Sequence, residues 1–351
     1  MPAIRVLIIE DSAFMRKMIT DILASDSSIH VVGTARNGKD GLEKIKQRSP
    51  DVVTLDVEMP VMDGIETLER IMTIAPLPVV MLSSSTREGT QKAVRAISIG
   101  AVDVIPKPSG AISLDIETIK QEIISKVITA SKAKISKHPP ISRHALLSNR
   151  QQTYENSIVT IGTSTGGPRA LQQVLTALPN DFPAPILIVQ HMPAKFTKSL
   201  ADRLNMLSHI HVKEATHGEL VQKGTAYIAP GDYHMKARQA GMSLAIELTQ
   251  EPSERGHRPA VNVLFESVAS LRQVNKFAIV LTGMGQDGAR GIQAIKKADP
   301  KAVIISESEE STVVYGMPSA AVKTGHVNQV IHLNSMGETI NDLIRGRGRN
   351  Q

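Results

Sequence analysis

Three stretches of the 351-residue chain set a serine, a histidine and an aspartate where an apolar run gives way to a turn. In residues 158–168, IVTIGTSTGGP, a β-branched run stops at Gly162, Ser164 stands in a turn without bulk, and Gly166, Gly167 and Pro168 lead into the periodic LQQVLTAL. That order predicts strand, tight turn and helix. Glycine tolerates positive φ, proline suits the first helical turn, and the unpaired N–H groups of a helix mouth can stabilise an oxyanion. Ser164 therefore reads as a nucleophile in need of a base. A glycine-rich turn taken alone fits a phosphate cradle or a plain structural turn equally well.

The other two stretches supply the missing parts. In ILIVQHMP an apolar run ends at Gln190 and His191, and in FAIVLTGMGQDGARG a β-branched strand and a glycine turn precede Asp287 at a helix start. Three strand ends would bring Ser164, His191 and Asp287 to one edge of a mainly parallel sheet. Such a set runs acyl transfer, with His191 as general base and then general acid and Asp287 fixing its tautomer. Donors on the Ser164 turn and on the backbone of residues 283–285 would receive the oxyanion. Singly, Asp287 reads as a helix cap and His191 as the end of a strand; their joint occurrence favours the triad. His209 and His211 have metal-like spacing but no third ligand, and His217 and His257 fall in glycine-containing loops that suit a solvated role better than substrate contact.

A second set of polar residues lies in the first 130 residues. Strand-length runs RVLII, HVVGTA, DVVTL, PVVML and DVI are each followed by a helical pattern. Five such repeats with near-continuous apolar strands predict a parallel sheet covered on both faces, which binds ligands at the carboxyl ends of its strands. Glu10 and Asp11 follow the first strand, Asp56 closes the third, Ser83 ends the fourth and Lys107 follows the fifth. Clustered carboxylates are costly unless a cation sits among them, and a hard divalent ion such as magnesium is the simplest resolution. A carboxylate beside magnesium, with an ammonium and a hydroxyl to hold the added oxygens, is equipped to accept a phosphoryl group.

Composition bounds the rest. The length fits two domains; 41% apolar but only 3% aromatic content means cores of Ile, Val, Leu, Ala and the fourteen Met. Without cysteine there is no disulfide and no thiolate chemistry, and no run approaches the ~18 apolar residues of a membrane span. A soluble cytoplasmic protein is expected. The net charge of +6 is concentrated in a linker that holds no acid between Glu122 and Glu155, and in a tail with Arg345, Arg347 and Arg349. No recognition motif accompanies that charge, so nucleic acid is not expected as a partner. The resulting division is a domain at 1–130, a linker at 131–153, a second domain at 154–344 and a basic tail at 345–351.

The first domain resembles the receiver domain of bacterial two-component response regulators, through LIIEDSAFMR, DVVTLDVEMPVMDG and VIPKP. The resemblance implies Asp56 as phosphoacceptor, Glu10, Asp11 and Asp56 as the magnesium carboxylates, Ser83 as switch hydroxyl and Lys107 as phosphate sensor. It departs at Glu10, where the family usually has Asp. GTSTG also fits the G-x-S-x-G elbow of α/β-hydrolases, but that family runs Ser, acid, His along the chain, against Ser164, His191, Asp287 here. IGTSTGGP, QHMP, YIAPGDYHM and LTGMGQDGA instead look like the catalytic domain of the chemotaxis protein-glutamate methylesterases, in the same order. HRPAVNVLFESVA resembles that family too, with Asn262 where Asp is more usual. Carried over, the resemblance implies a triad of Ser164, His191 and Asp287, with Thr165 and the Met284 backbone beside the oxyanion. It implies hydrolysis of glutamate γ-methyl esters on chemoreceptors to glutamate and methanol, deamidation of glutamine by the same chemistry, and a chemotaxis histidine kinase as phosphodonor. The unphosphorylated first domain is then expected to cover or misorient the Ser164 edge. Two alternatives remain at this point: a second domain that binds an anion or nucleic acid without catalysis, and a general small-ester hydrolase.

Overall fold

The computed structural model describes residues 2–107, 116–133 and 156–346. Residues 134–153 of the expected linker and 347–351 of the expected tail lie outside the described residues. The chain divides into two compact units, Met1–Ile135 and Ser136–Gln351.

The first unit alternates β1 (Ile4–Ile9), α1 (Ala13–Ala24), β2 (Ile29–Ala35), α2 (Gly38–Arg48), β3 (Val52–Asp56), α3 (Gly64–Ile74), β4 (Val79–Ser83), α4 (Arg87–Ile99), β5 (Asp103–Pro106) and α5 (Ile116–Ser131). Its sheet has the order β2-β1-β3-β4-β5, and every pairing is parallel. Residues of β3 and β4 are buried throughout, as strands sandwiched between helices must be. The helices α1 to α4 each carry their own cap: Ser12, Asn37, Asp63 and Thr86 accept an N–H from the first turn that follows. Strand order reverses between β1 and β3, the place where open α/β sheets leave a crevice at their carboxyl ends.

The second unit runs β6 (Ser157–Thr163), α6 (Gly167–Thr176), β7 (Ile186–Gln190), α7 (Phe196–Leu207), β8 (His211–Glu214), β9 (Thr225–Ile228), β10 (His234–Ala240), β11 (Ser243–Thr249), α8 (Val261–Ala269), β12 (Asn275–Val280), α9 (Ala289–Ala298), β13 (Val303–Glu307), α10 (Met317–Lys323), β14 (Gln329–Ile331) and α11 (Leu333–Ile344). Seven strands in the order β14-β13-β12-β6-β7-β9-β8 form one sheet, parallel at every pairing. β10 and β11 form a separate antiparallel hairpin that packs on α8. From β6 the chain steps outward through β7, returns with β12 on the other flank, and leaves its switch point between β6 and β12. Phe265, Val261, Leu264 and Val280 build the core beneath that point. Among the described residues, no helix is long and apolar enough to cross a membrane.

Candidate active site

β12, β6 and β7 are consecutive in the second sheet, so the turns that follow them meet at one edge. Ser164 follows β6, His191 follows β7, and Asp287 lies between β12 and α9. Two backbone bonds hold the serine turn: Ser164 N–H donates to Thr282 O at 3.1 Å, and Gly167 N–H to Ser164 O at 2.8 Å. Gln190 ties the serine and histidine turns together, its Nε2 donating to Ser164 O at 2.9 Å and to His191 O at 3.0 Å. Gly167 is needed for this closeness, because a Cβ there would collide with Gln190 Oε1 and Thr163 Oγ1. At Gly283 a Cβ would stand 2.8 Å from Ser164 Cβ, so the loop after β12 also lies directly against the serine.

His191 Nε2 is bonded to Asp287 Oδ2 at 2.8 Å, while its Nδ1 is buried and has no hydrogen-bond partner. Nδ1 is therefore the nitrogen left to act as a base. The carboxylate of Asp287 is held from further sides: Val261 N–H donates to Oδ2 at 2.7 Å and Asn262 N–H to Oδ1 at 2.9 Å. These are the first N–H groups of α8, whose own N-cap position is Ala260 and offers no side-chain bond. Asp287 thus caps α8, and it also accepts Gly288 N–H at 2.9 Å at the start of the helix that follows it in sequence. Asn262 returns the arrangement, its Oδ1 accepting Gly288 and Gly291 N–H at 2.9 Å each at the start of α9. Burial works against ionisation of Asp287 more than any single influence, yet the bonds from His191, Asn262 and Val261 together outweigh it and hold the carboxyl below its usual range.

Gly166 at the N-cap of α6 is left-handed and gives no side-chain cap, and Pro168 stands in the first turn of that helix, while Gly167 N–H is spent on Ser164 O and Ala170 N–H on Gly166 O. Thr165 is 7% exposed, its carbonyl accepting the Thr282 hydroxyl at 3.0 Å; Met284 presents an exposed side chain on the opposing loop. His257, expected to be solvated, stacks on His191 with ring centroids 3.9 Å apart and planes inclined by 6°. No signal in the sequence places it there: the contact arises because the loop after β11 folds back over the sheet edge. His209 and His211 are exposed, at and before the start of β8.

In the first unit, β1, β3, β4 and β5 bring Glu10, Asp11, Asp56, Ser83 and Lys107 to one edge. Lys107 Nζ lies 2.9 Å from Glu10 Oε2 and 2.8 Å from Asp56 Oδ1. Burial first, and then the Asp56 charge, push Glu10 up to about 7; burial likewise raises Asp56. One ammonium is shared by two buried carboxylates, and Asp56 Oδ2 is buried without a hydrogen-bond partner. Ligand oxygens of Glu10, Asp11 and Asp56 all lie within 4.8 Å of one another, a hard, all-oxygen donor set that fits magnesium. The Ser83 hydroxyl donates to Gly89 O at 2.8 Å, anchored to α4.

Two family models match the chain: the response regulator receiver domain over residues 6–118 and the CheB methylesterase over residues 159–340. A protein-glutamate methylesterase/protein-glutamine glutaminase of Halalkalibacterium halodurans is 53% identical, over 96% of this chain and 97% of its own. Proteins of the same name are 53% identical in Oceanobacillus iheyensis, over 97% and 99% of the two chains, and 46% identical in Bacillus subtilis, over 97% and 99%. The crystal structure of the Thermotoga maritima CheB methylesterase catalytic domain is 39% identical, with a TM-score of 0.51 over 54% of this chain and 99% of that one.

Proposed function

Because this chain belongs to the CheB methylesterase family and carries a response regulator receiver domain ahead of the esterase, we propose that it is a phosphorylation-regulated protein-glutamate methylesterase and glutaminase of bacterial chemotaxis. The observation that carries this reading is the His191–Asp287 bond of 2.8 Å at the switch point of the second sheet, beside a serine in the turn that leads into α6. Ser164 Oγ attacks the side-chain carbonyl of a receptor glutamate γ-methyl ester as its proton passes to His191 Nδ1. The carbonyl oxygen becomes an oxyanion beside Thr165 and the Met284 backbone. Asp287 holds the Nε2 proton and stabilises the imidazolium. Collapse expels methoxide, which takes the proton from His191 and leaves as methanol. Water then enters, gives a proton to His191 and its oxygen to the acyl carbon, and glutamate departs as Ser164 regains its proton. A γ-amide follows the same path, with ammonia leaving in place of methanol.

Glu10, Asp11 and Asp56 would hold magnesium, whose charge offsets that of an incoming phosphoryl group. Asp56 is the proposed acceptor of that group from a chemotaxis histidine kinase, and Lys107 and Ser83 its partners after transfer. Phosphorylation raises the esterase rate, and removal of the residues before Tyr154 raises the basal rate. The protein acts in the cytoplasm, on the cytoplasmic helices of methylated chemoreceptors.

Methanol release from methylated chemoreceptor, with and without a small acyl phosphate and magnesium, tests the reading beside Ser164→Ala. Release that rises with phosphorylation and vanishes in Ser164→Ala is expected. Its absence in every condition, with folded and phosphorylated protein, returns the second domain to a binding role.

A further inference from the structure

The catalytic steps above make no use of Glu307, although it is a fully buried carboxylate within the same sheet edge. It closes β13, next to β12. The ladder between these strands reaches its last pair at Val280 and Ser306. Beyond that pair, Leu281 N–H turns to the other flank and donates to Gly162 O at 3.0 Å. Thr282 N–H, facing β13, has no backbone partner left, and a buried N–H without an acceptor costs about 1–3 kcal/mol. Glu307 fills that place. Its Oε2 accepts Thr282 N–H at 2.8 Å and its Oε1 accepts the Ser311 hydroxyl at 3.0 Å. No cation pairs with it among the described residues.

Thr282 is bonded at every polar atom, and the other bonds lead to the serine turn. Its carbonyl receives Ser164 N–H at 3.1 Å and the Thr163 hydroxyl at 2.8 Å. Its hydroxyl donates to Thr165 O at 3.0 Å and accepts Val314 N–H at 3.0 Å. Gly283, the next residue, is the one packed against Ser164 Cβ. We infer that Glu307 is a positioning residue for the esterase reaction: as a side-chain substitute for the strand that has ended, it fixes Thr282, and Thr282 fixes both walls of the Ser164 turn. The inference rests on the reading of Ser164 as nucleophile.

An acceptor at Oε2 is what this role requires, not a negative charge. Glu307→Gln keeps an acceptor for Thr282 N–H and offers an N–H to Ser311, whereas Glu307→Leu keeps only the bulk. Methanol release by the phosphorylated full-length protein, normalised to folded sites by the stoichiometry of Ser164 labelling with a fluorophosphonate, separates the two. Glu307→Leu is expected to lose about 10- to 100-fold in kcat, as catalytic groups displaced by about 1 Å do, with KM within about twofold and a matching slowing of the labelling rate; Glu307→Gln stays within about threefold of the parent. Should Glu307→Leu not fold, Ser311→Ala, which removes only the bond to Oε1, is expected to lower kcat by about threefold at unchanged KM. Unaltered kcat in Glu307→Leu, or in Ser311→Ala where that variant stands in, overturns the inference, as does a Gln variant as slow as the Leu variant. If the parent protein neither releases methanol nor takes the label, the reading of Ser164 fails instead.

Discussion

Asp287 has two tasks, and replacing it by asparagine should damage both at once. Its two oxygens accept His191 Nε2, the first two N–H groups of α8 and Gly288 N–H, at 2.7–2.9 Å. An amide offers one acceptor, so its Nδ2 must face N–H donors on one side or the other. One or two buried N–H groups are left unsatisfied at about 1–3 kcal/mol each, and α8 loses the negative charge at its N-terminus, worth about 0.3–1 kcal/mol. A loss of about 2–4 kcal/mol follows, or roughly 5–15 °C in the melting of a unit of this size. The effect depends on pH with a definite sign. The folded carboxyl lies below its usual range, so its contribution is present above the unfolded value of about 3.9 and disappears as pH falls through the folded pKa. Methanol release should fall by about 10⁴, because His191 is then held in the wrong tautomer. Thermal unfolding at pH 7 and in acid, with the ester assay and Ser164→Ala as a variant inactive yet as stable as the parent, measures each part. An Asn variant that melts with the parent at pH 7, or retains more than about a tenth of its activity, refutes the dual role.

Three further outcomes are expected. Asp56→Asn should incorporate no phosphoryl group from a small acyl phosphate and lose the stimulated rate while keeping the basal one; stimulation that persists would place the acceptor elsewhere. Gly167→Ala puts a Cβ into Gln190 and Thr163 and should cost about 1–3 kcal/mol, as overpacking of a buried site does, so an unchanged melting temperature would mean that this turn has room to spare. Burial pushes Glu307 from 4.5 up to about 7; its stability contribution is complete below about 4.5 and lost as pH rises through about 7, so Glu307→Gln should gain stability above pH 7 by at most about 3 kcal/mol. A difference between the two proteins that does not vary from pH 5 to 8 contradicts that linkage.

What the sequence revealed was what repeats or ends locally. Apolar runs marked β1, β3, β4, β6, β7, β12 and β13 because strands buried on both faces need no alternation, the runs HVVGTA and DVI marked β2 and β5, and the polar residues that close the central runs fell at the carboxyl edge by topology alone. The possible strand around His209 and His211 is β8, whereas the hairpin β10–β11 and the short β9 and β14 escaped notice, having neither the length nor the continuous apolar character of the central strands. At the site, the meaning of Asp287 depended on a helix 26 residues earlier, at Val261. A cap from so distant a residue leaves no local spacing to recognise. His257 was hidden for the same reason, since ring stacking on His191 follows from the path of a loop. Glu307 did carry a signal, an acid ending the buried run VIISE, and the pattern of the other strand ends gave reason to weigh it.

The use of helix caps separates the scaffold from the reactive edge. In the first unit α1 to α4 are capped by residues immediately before them, so each helix start is satisfied locally and is independent of its neighbours. At the second site, α8 and α9 are capped across the fold by Asp287 and Asn262. The carboxylate that bonds His191 is thus the same one held by the first N–H groups of α8. α6, beside Ser164, receives no side-chain bond from its N-cap residue, Gly166. The borrowed caps tie Asp287, and through its bond His191, to the start of α8. That tie follows from the placing of Asp287 and His191 at a switch point, where turns from three neighbouring strands share a crowded edge.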